Sequence, residues 1–193
     1  MKHTRESIVE LINSKRVVER RIDLSDQDLS GLDLSGLDLS GANLQGADMQ
    51  DANLQSANLQ SADLRDTDLQ DANLQDANLQ EANLQWCILK RADLQRANLR
   101  DADLQDANLQ WCILQRADLQ GANLQDADLH GADLRGADLD FTGYELSCQT
   151  IGIKVDKRLV SQLLYHLCRM DVHDYPEWDE LRNDVMALAN QSH

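Results

Sequence analysis

Pro176 is the one proline of this 193-residue chain, and seven Phe, Tyr and Trp side chains make up only 4% of it. With 42% hydrophobic residues and so few aromatics, the interior must be built from Leu and Ala, stacked rather than mixed. Four Cys stand at scattered positions, without the spacing of a disulfide framework. No secretory leader and no apolar run of 18 or more residues is present, so a reduced, soluble, cytoplasmic protein without membrane contact is expected. Phosphate loops, Gly-rich strand-to-helix turns and Ser/His/Asp or Cys/His sets are also missing, so neither an enzyme nor a cofactor is expected. His166, Cys168 and His173 lie close in sequence but lack a fourth ligand, and no metal is expected there. Positive charge is scarce too: 18 Lys and Arg face 34 Asp and Glu, a net −16.

What fills the chain is a five-residue period that runs from Ile22 to Phe141 without insertion or deletion. It holds 24 units, and the central residue of each is Leu in 23 of them, with Met49 the exception. Two positions before the centre, 17 of the 24 are Ala; one before it, 13 are Asp, nine Asn and two Ile; after the centre, 14 are Gln. An α-helix cannot use this period, because five residues turn 500° at 3.6 per turn and the Leu would wander round the whole cylinder. A strand fails as well, because an odd period flips faces at every unit. A chain that turns one corner per unit satisfies the pattern, with Leu and Ala inside and the other three positions outside. Such fixed-period self-similarity marks a solenoid.

The motif Ala-Asp/Asn-Leu-x-x, as in Ala72-Asn73-Leu74-Gln75-Asp76, resembles that of the pentapeptide repeat proteins. The resemblance implies an all-β solenoid, a right-handed quadrilateral β-helix with four units to a coil, so that residues 20 apart stack. Twenty-four units then make six coils, a rod roughly 30 Å long at ~4.8 Å per coil. Three segments follow: a helical cap over residues 1–21, the β-helix over 22–141, and a degenerate repeat with a two-helix tail over 142–193. The excess charge sits on the rod, where seven basic residues face 23 acidic ones.

The cap is expected as an amphipathic helix from Thr4 to about Val18, with Thr4 as N-cap and Ile8, Leu11 and Ile12 on one face. Ile22, Gln27, Leu32 and Leu37 replace Ala in the first coil, which suits a coil that meets a helix. In the tail, Asp156 caps a helix with Leu159, Leu163 and Leu167 on one face, and Pro176 opens a second with Trp178 and Leu181. Phe141 and Tyr144 are expected to be buried where rod meets tail. The resemblance also implies an end-to-end homodimer through this segment. The chain stops at His193 without an evident ending signal, which leaves open a fragment of a longer protein.

One section breaks the monotony. Trp86-Cys87-Ile88-Leu89 returns 25 residues later as Trp111-Cys112-Ile113-Leu114, one coil plus one unit, so the second copy is shifted one face round the rod. Cys87 and Cys112 take the inward Ala position. Trp86, Ile88, Trp111 and Ile113 fall on outward positions, where a core would not put them. Lys90, Arg91, Arg96, Arg100 and Arg116, five of the rod's seven basic residues, lie in the same two coils. Arg91 stacks under Trp111, a pairing with cation–π character. These nine residues form the candidate docking patch, against the alternative of a tandem duplication, residues 81–105 repeated as 106–130, whose exposed Trp are only tolerated.

Two functions of different class follow. The first is a non-enzymatic rigid scaffold for a protein partner, and it is favoured. The second is an acidic DNA mimic, as the gyrase-protecting members of the resembled family look like acidic rods the width of duplex DNA. Leu centres, uninterrupted coils and the Arg–Trp band weigh against it. In neither case does the chain itself bind nucleic acid.

Overall fold

The structure, a computed structural model, describes residues 3–17 and 21–139, with side chains described through residue 14 of the first stretch. From Leu24 to Leu139 every centre is at most 3% exposed, and the Ala beside it at most 5%. Each residue before a centre pairs in parallel with its counterpart 20 residues on, as Asn53 with Asn73 and Asn73 with Asp93. The coil therefore holds four units, and each unit makes one face. The faces are numbered here from the units centred on Leu24, Leu29, Leu34 and Leu39.

The hydrogen bonds explain the sequence of the unit. In Ala72–Asp76, Asn73 N–H donates to Ala52 O in the coil beneath (2.9 Å), while Leu74 and Asp76 donate to Asp93 O (2.7 Å) and Gln95 O (3.0 Å) in the coil above. Ala72 N–H closes the corner on Leu69 O at 3.1 Å. Only the N–H after the centre has no backbone partner, and Asn73 Oδ1 accepts it from Gln75 at 3.1 Å. Asp or Asn precedes the centre because it completes this accounting.

The corner residue, last in each unit, has φ between 53° and 76° throughout, in sixteen non-glycine residues and seven glycines. Gly, Asp and Asn enter this left-handed region at least cost, so the turn itself selects part of the acidic surface. Polar ladders then tie coil to coil. Asn73 Nδ2 donates to Asn53 Oδ1 at 3.2 Å, and Gln75 Nε2 donates to Asp93 Oδ2 at 2.6 Å.

Helix α1 spans Arg5–Val17. Thr4 and Ser7 cap it reciprocally, Ser7 N–H donating to Thr4 Oγ1 (3.2 Å) and Thr4 N–H to Ser7 Oγ (3.0 Å). Its Ile8 and Ile12 are buried in the cluster that continues into the rod, and Leu11, Leu32 and Leu37 pack partly buried against it. Arg5 reaches the first coil, donating to Asp33 O (2.7 Å) and Ser35 O (2.9 Å). No helix among the described residues is long and apolar enough to cross a membrane.

Candidate docking surface

Among the described residues the large hydrophobic side chains left exposed are Trp86 (51%), Ile88 (38%), Trp111 (53%) and Ile113 (36%). All four lie in coils 4 and 5, residues 82–121. Each occupies a position where the repeat favours another chemistry. The two Trp are corner residues at φ 56° and 59°, a left-handed conformation that strains a bulky side chain. The two Ile replace the Asp or Asn that would accept the N–H after the centre, so Lys90 and Gln115 N–H have no protein acceptor among the described residues. The ladders break at the same points. Gln95 would donate to residue 113 by the pattern of Gln75 and Asp93, but its amide turns to Gln115 Oε1 at 3.2 Å.

Face 2 runs between the two indoles. Trp86 stands at its leading corner in coil 4, Ile88 and Lys90 lie on it, and Arg91 and Trp111 share its trailing corner in coils 4 and 5. Ile113 lies round that corner on face 3, with Arg96 and Arg116 at the far edge of face 3. Arg100 is on face 4, opposite face 2. The structure therefore joins eight of the nine patch residues across two adjacent faces and leaves Arg100 out.

The basic residues divide in two. Arg91 and Arg96 each make a two-pronged ion pair one coil down, with Asp71 and Asp76, closing at 2.5 Å. Those guanidinium hydrogen bonds hold both carboxyls below the usual carboxylate range. Arg100 pairs with Asp118 at 3.3 Å and bonds Gln120 Oε1. Lys90 and Arg116 make no side-chain ion pair or hydrogen bond among the described residues.

The expected Trp111–Arg91 contact does not form as the organising one. Arg91 turns down to Asp71, and the Trp111 ring meets His130 edge to face, with centroids 5.1 Å apart at 86°. The indole also covers Gly131, where an added Cβ would lie 2.6 Å from Cζ3 and 2.7 Å from Cδ2. Gly131 and His130 are thus part of the surface, and the 20-residue rule applied forward from Trp111 would have found them. Cys87 and Cys112 are buried, and burial pushes both thiols well above their ordinary range, so they replace a methyl and offer no reactive sulfur. The second expected interface, Phe141, Tyr144, Leu159, Leu163, Leu167, Trp178 and Leu181, lies outside the described residues. No His, Cys, Asp and Glu grouping able to hold a metal occurs among the described residues.

The profile of the family described as pentapeptide repeats matches in eight copies, at residues 20–55, 47–85, 67–106, 77–115 and 102–140. The chain belongs to this family. Pentapeptide repeat proteins fold as right-handed quadrilateral β-helices and are generally structural or interaction scaffolds rather than enzymes. Among solved structures, the pentapeptide repeat protein Rfr23 from the cyanobacterium Cyanothece 51142 is similar at 24% identity, over 78% of this chain and 96% of that one, with a TM-score of 0.47. HetL from Nostoc sp. strain PCC 7120, involved in heterocyst differentiation regulation, is similar at 30% identity, over 70% and 77%, with a TM-score of 0.22. The plasmid-mediated fluoroquinolone resistance protein QnrB1 is similar at 20% identity, over 79% and 98%, with a TM-score of 0.37. A search among curated proteins finds no match.

Proposed function

We propose that this pentapeptide repeat protein is a rigid, non-enzymatic scaffold that docks a protein partner on the Trp–Ile band of coils 4 and 5. One observation carries the proposal: the exposed large hydrophobics of the described rod are confined to two coils and sit where turn chemistry and ladder chemistry both disfavour them. Side chains that cost local stability and gain nothing from the core suit a role in binding, since Trp is among the residues most enriched at hot spots. Charge supports the same place. Coils 1 to 3 carry 13 acids and one Arg, and coil 6 carries five acids and one Arg, but coils 4 and 5 balance five Lys and Arg against five Asp. A partner meets no net repulsion there. Helix α1 seals the open edge of the first coil, which would otherwise pair with other chains.

The test is a binding titration of a partner captured on the intact chain, against the parent and a Trp86→Asn/Trp111→Asn variant. Asn tolerates positive φ, so the variant stays folded. Binding should weaken by about 2 kcal/mol or more, the usual cost of a lost Trp hot spot. Unchanged affinity would remove the band from the function. The charge of coils 1 to 3 favours a second reading, an acidic DNA mimic that occupies a DNA-binding protein such as DNA gyrase. Under mimicry, binding survives loss of both Trp and falls steeply with salt.

A further inference from the structure

We infer that face 2 takes one kind of occupant: a polypeptide segment with Lys or Arg along one part and aliphatic or aromatic anchors along the next. The inference rests on the docking band proposed above and names the chemistry of its partner.

Below the band, face 2 and its corners carry seven Asp and no basic residue: Asp71, held by Arg91 from coil 4, and Asp26, Asp28, Asp48, Asp51, Asp66 and Asp68. The other faces dilute their columns: face 3 has Asn53 and Asn73, and face 4 has Asn58 and Asn78, where face 2 keeps Asp48 and Asp68. Adjacent coils are about 4.8 Å apart, well within the ~8 Å screening length at physiological salt, so the other six carboxylates act on a partner together. Above them come Trp86 and Ile88 in coil 4, directly over Asp66 and Asp68, and Trp111 in coil 5, over Arg91. Trp111 is fixed in place by Gly131 of the coil above, which its ring covers, and by His130 edge to face, a preformed anchor site.

From Asp28 in coil 1 to Trp111 in coil 5 the strip rises about 19 Å, the length of ~13 helical or ~6 extended residues. One short segment can therefore span both parts. A second copy of this chain fits poorly, because it would bring another −16 against the same Asp residues. Lys90 and Arg116, the basic side chains without an ion pair among the described residues, are too few to offset them. An acidic segment would gain those two charges and oppose six.

A random peptide library displayed on phage, selected against the intact chain, tests the assignment. Enriched peptides, made synthetically, are then measured at two salt concentrations against the parent, Trp86→Asn/Trp111→Asn, and Asp48→Asn/Asp51→Asn/Asp66→Asn/Asp68→Asn. Asn suits all four positions: Asn53 and Asn58 already serve before the centre, and Asn accepts the corner conformation. Melting curves establish that each variant is folded. Enriched peptides should join Lys or Arg to an apolar cluster. They should bind the Trp variant about thirty-fold more weakly, and lose most of their salt dependence on the Asn variant. Peptides that need both Trp but carry Asp or Glu, or that ignore the four Asn changes, would overturn the basic partner while leaving the docking band. Peptides indifferent to both Trp, or no enrichment, would overturn both. Self-association of the chain that requires Trp86 and Trp111 would give the face to a second copy instead.

Discussion

Gly131→Ala tests how the indole of Trp111 is held. Gly131 has φ 72°, and a methyl there would clash with the Trp111 ring, 2.6 Å from Cζ3, 2.7 Å from Cδ2 and closer still to Cε3. Two costs add. Ala in the left-handed region costs about 1 kcal/mol relative to Gly, and forcing the indole off its rotamer and away from His130 costs a further ~1 kcal/mol. The total of ~2 kcal/mol should lower Tm by about 4–8 °C in a chain of this size. In a Trp111→Asn background the ring is gone and only the first cost remains, so Gly131→Ala should cost ~1 kcal/mol there. The double-mutant cycle then gives a coupling of ~1 kcal/mol between residues 111 and 131, read by urea denaturation of the four proteins. Additive effects would mean that the indole does not lie over Gly131. A cost near zero in both backgrounds would also contradict the positive φ.

Three further outcomes follow from the same geometry. Leu74→Asp places a carboxylate in a fully closed column, so cooperative melting near the parent temperature should be lost; a parent-like melt would contradict the inward centre. Asp133, nearly buried, is gripped by Arg135 and by Gln115 Nε2 at 2.8 Å, and the Arg135 hydrogen bonds hold its carboxyl far below the ordinary carboxylate range. Its folded value is depressed, so its stabilising contribution is present above about pH 4 and fades as pH falls towards the folded value; Asp133→Asn should flatten the fall in urea midpoint between pH 4 and 2. Thr67 replaces Ala in the inward column and donates from Oγ1 to Leu44 O at 2.9 Å; Thr67→Ala restores the prevailing residue and should change stability by less than about 1.5 kcal/mol, read by the same denaturation.

Much of the fold was legible because one residue type dominates each position. The centre at Leu74 and the Ala at Ala72 follow from a period of five that neither helix nor strand can use, while the register of 20 came with the resemblance to pentapeptide repeat proteins. Cys87 and Cys112 were legible for the same reason, since their place in the unit decides burial before their chemistry does. The helix was read from Thr4, and Thr4 caps it from just outside, so α1 begins at Arg5. The surface was less legible. A column gives each outward side chain two neighbours, one below and one above, and the sequence does not say which it chooses. Arg91 had Asp71 below and Trp111 above and took the carboxylate, because a two-pronged ion pair outweighs a stacking contact in that geometry. Trp111, left by Arg91, closed over Gly131, the one neighbour without a side chain. The paired Ile were legible as exposed, but their second effect, the loss of an acceptor for Lys90 and Gln115 N–H, needed the hydrogen-bond pattern of the unit.

The central claim is that the register sets Trp86 and Trp111 at opposite edges of one face and that a partner reads this spacing. Deleting residues 97–101, one whole unit between the two Trp, keeps every Leu pointing inward but turns all later units by one face and brings Trp111 directly above Trp86 at a single corner. The affinity of this deletion for the partner, beside its melting curve, is the deciding measurement. A cooperative melt with binding at least about tenfold weaker, the loss of ~1.4 kcal/mol from one displaced anchor, is the predicted result. A folded deletion that binds as tightly as the parent would contradict the claim.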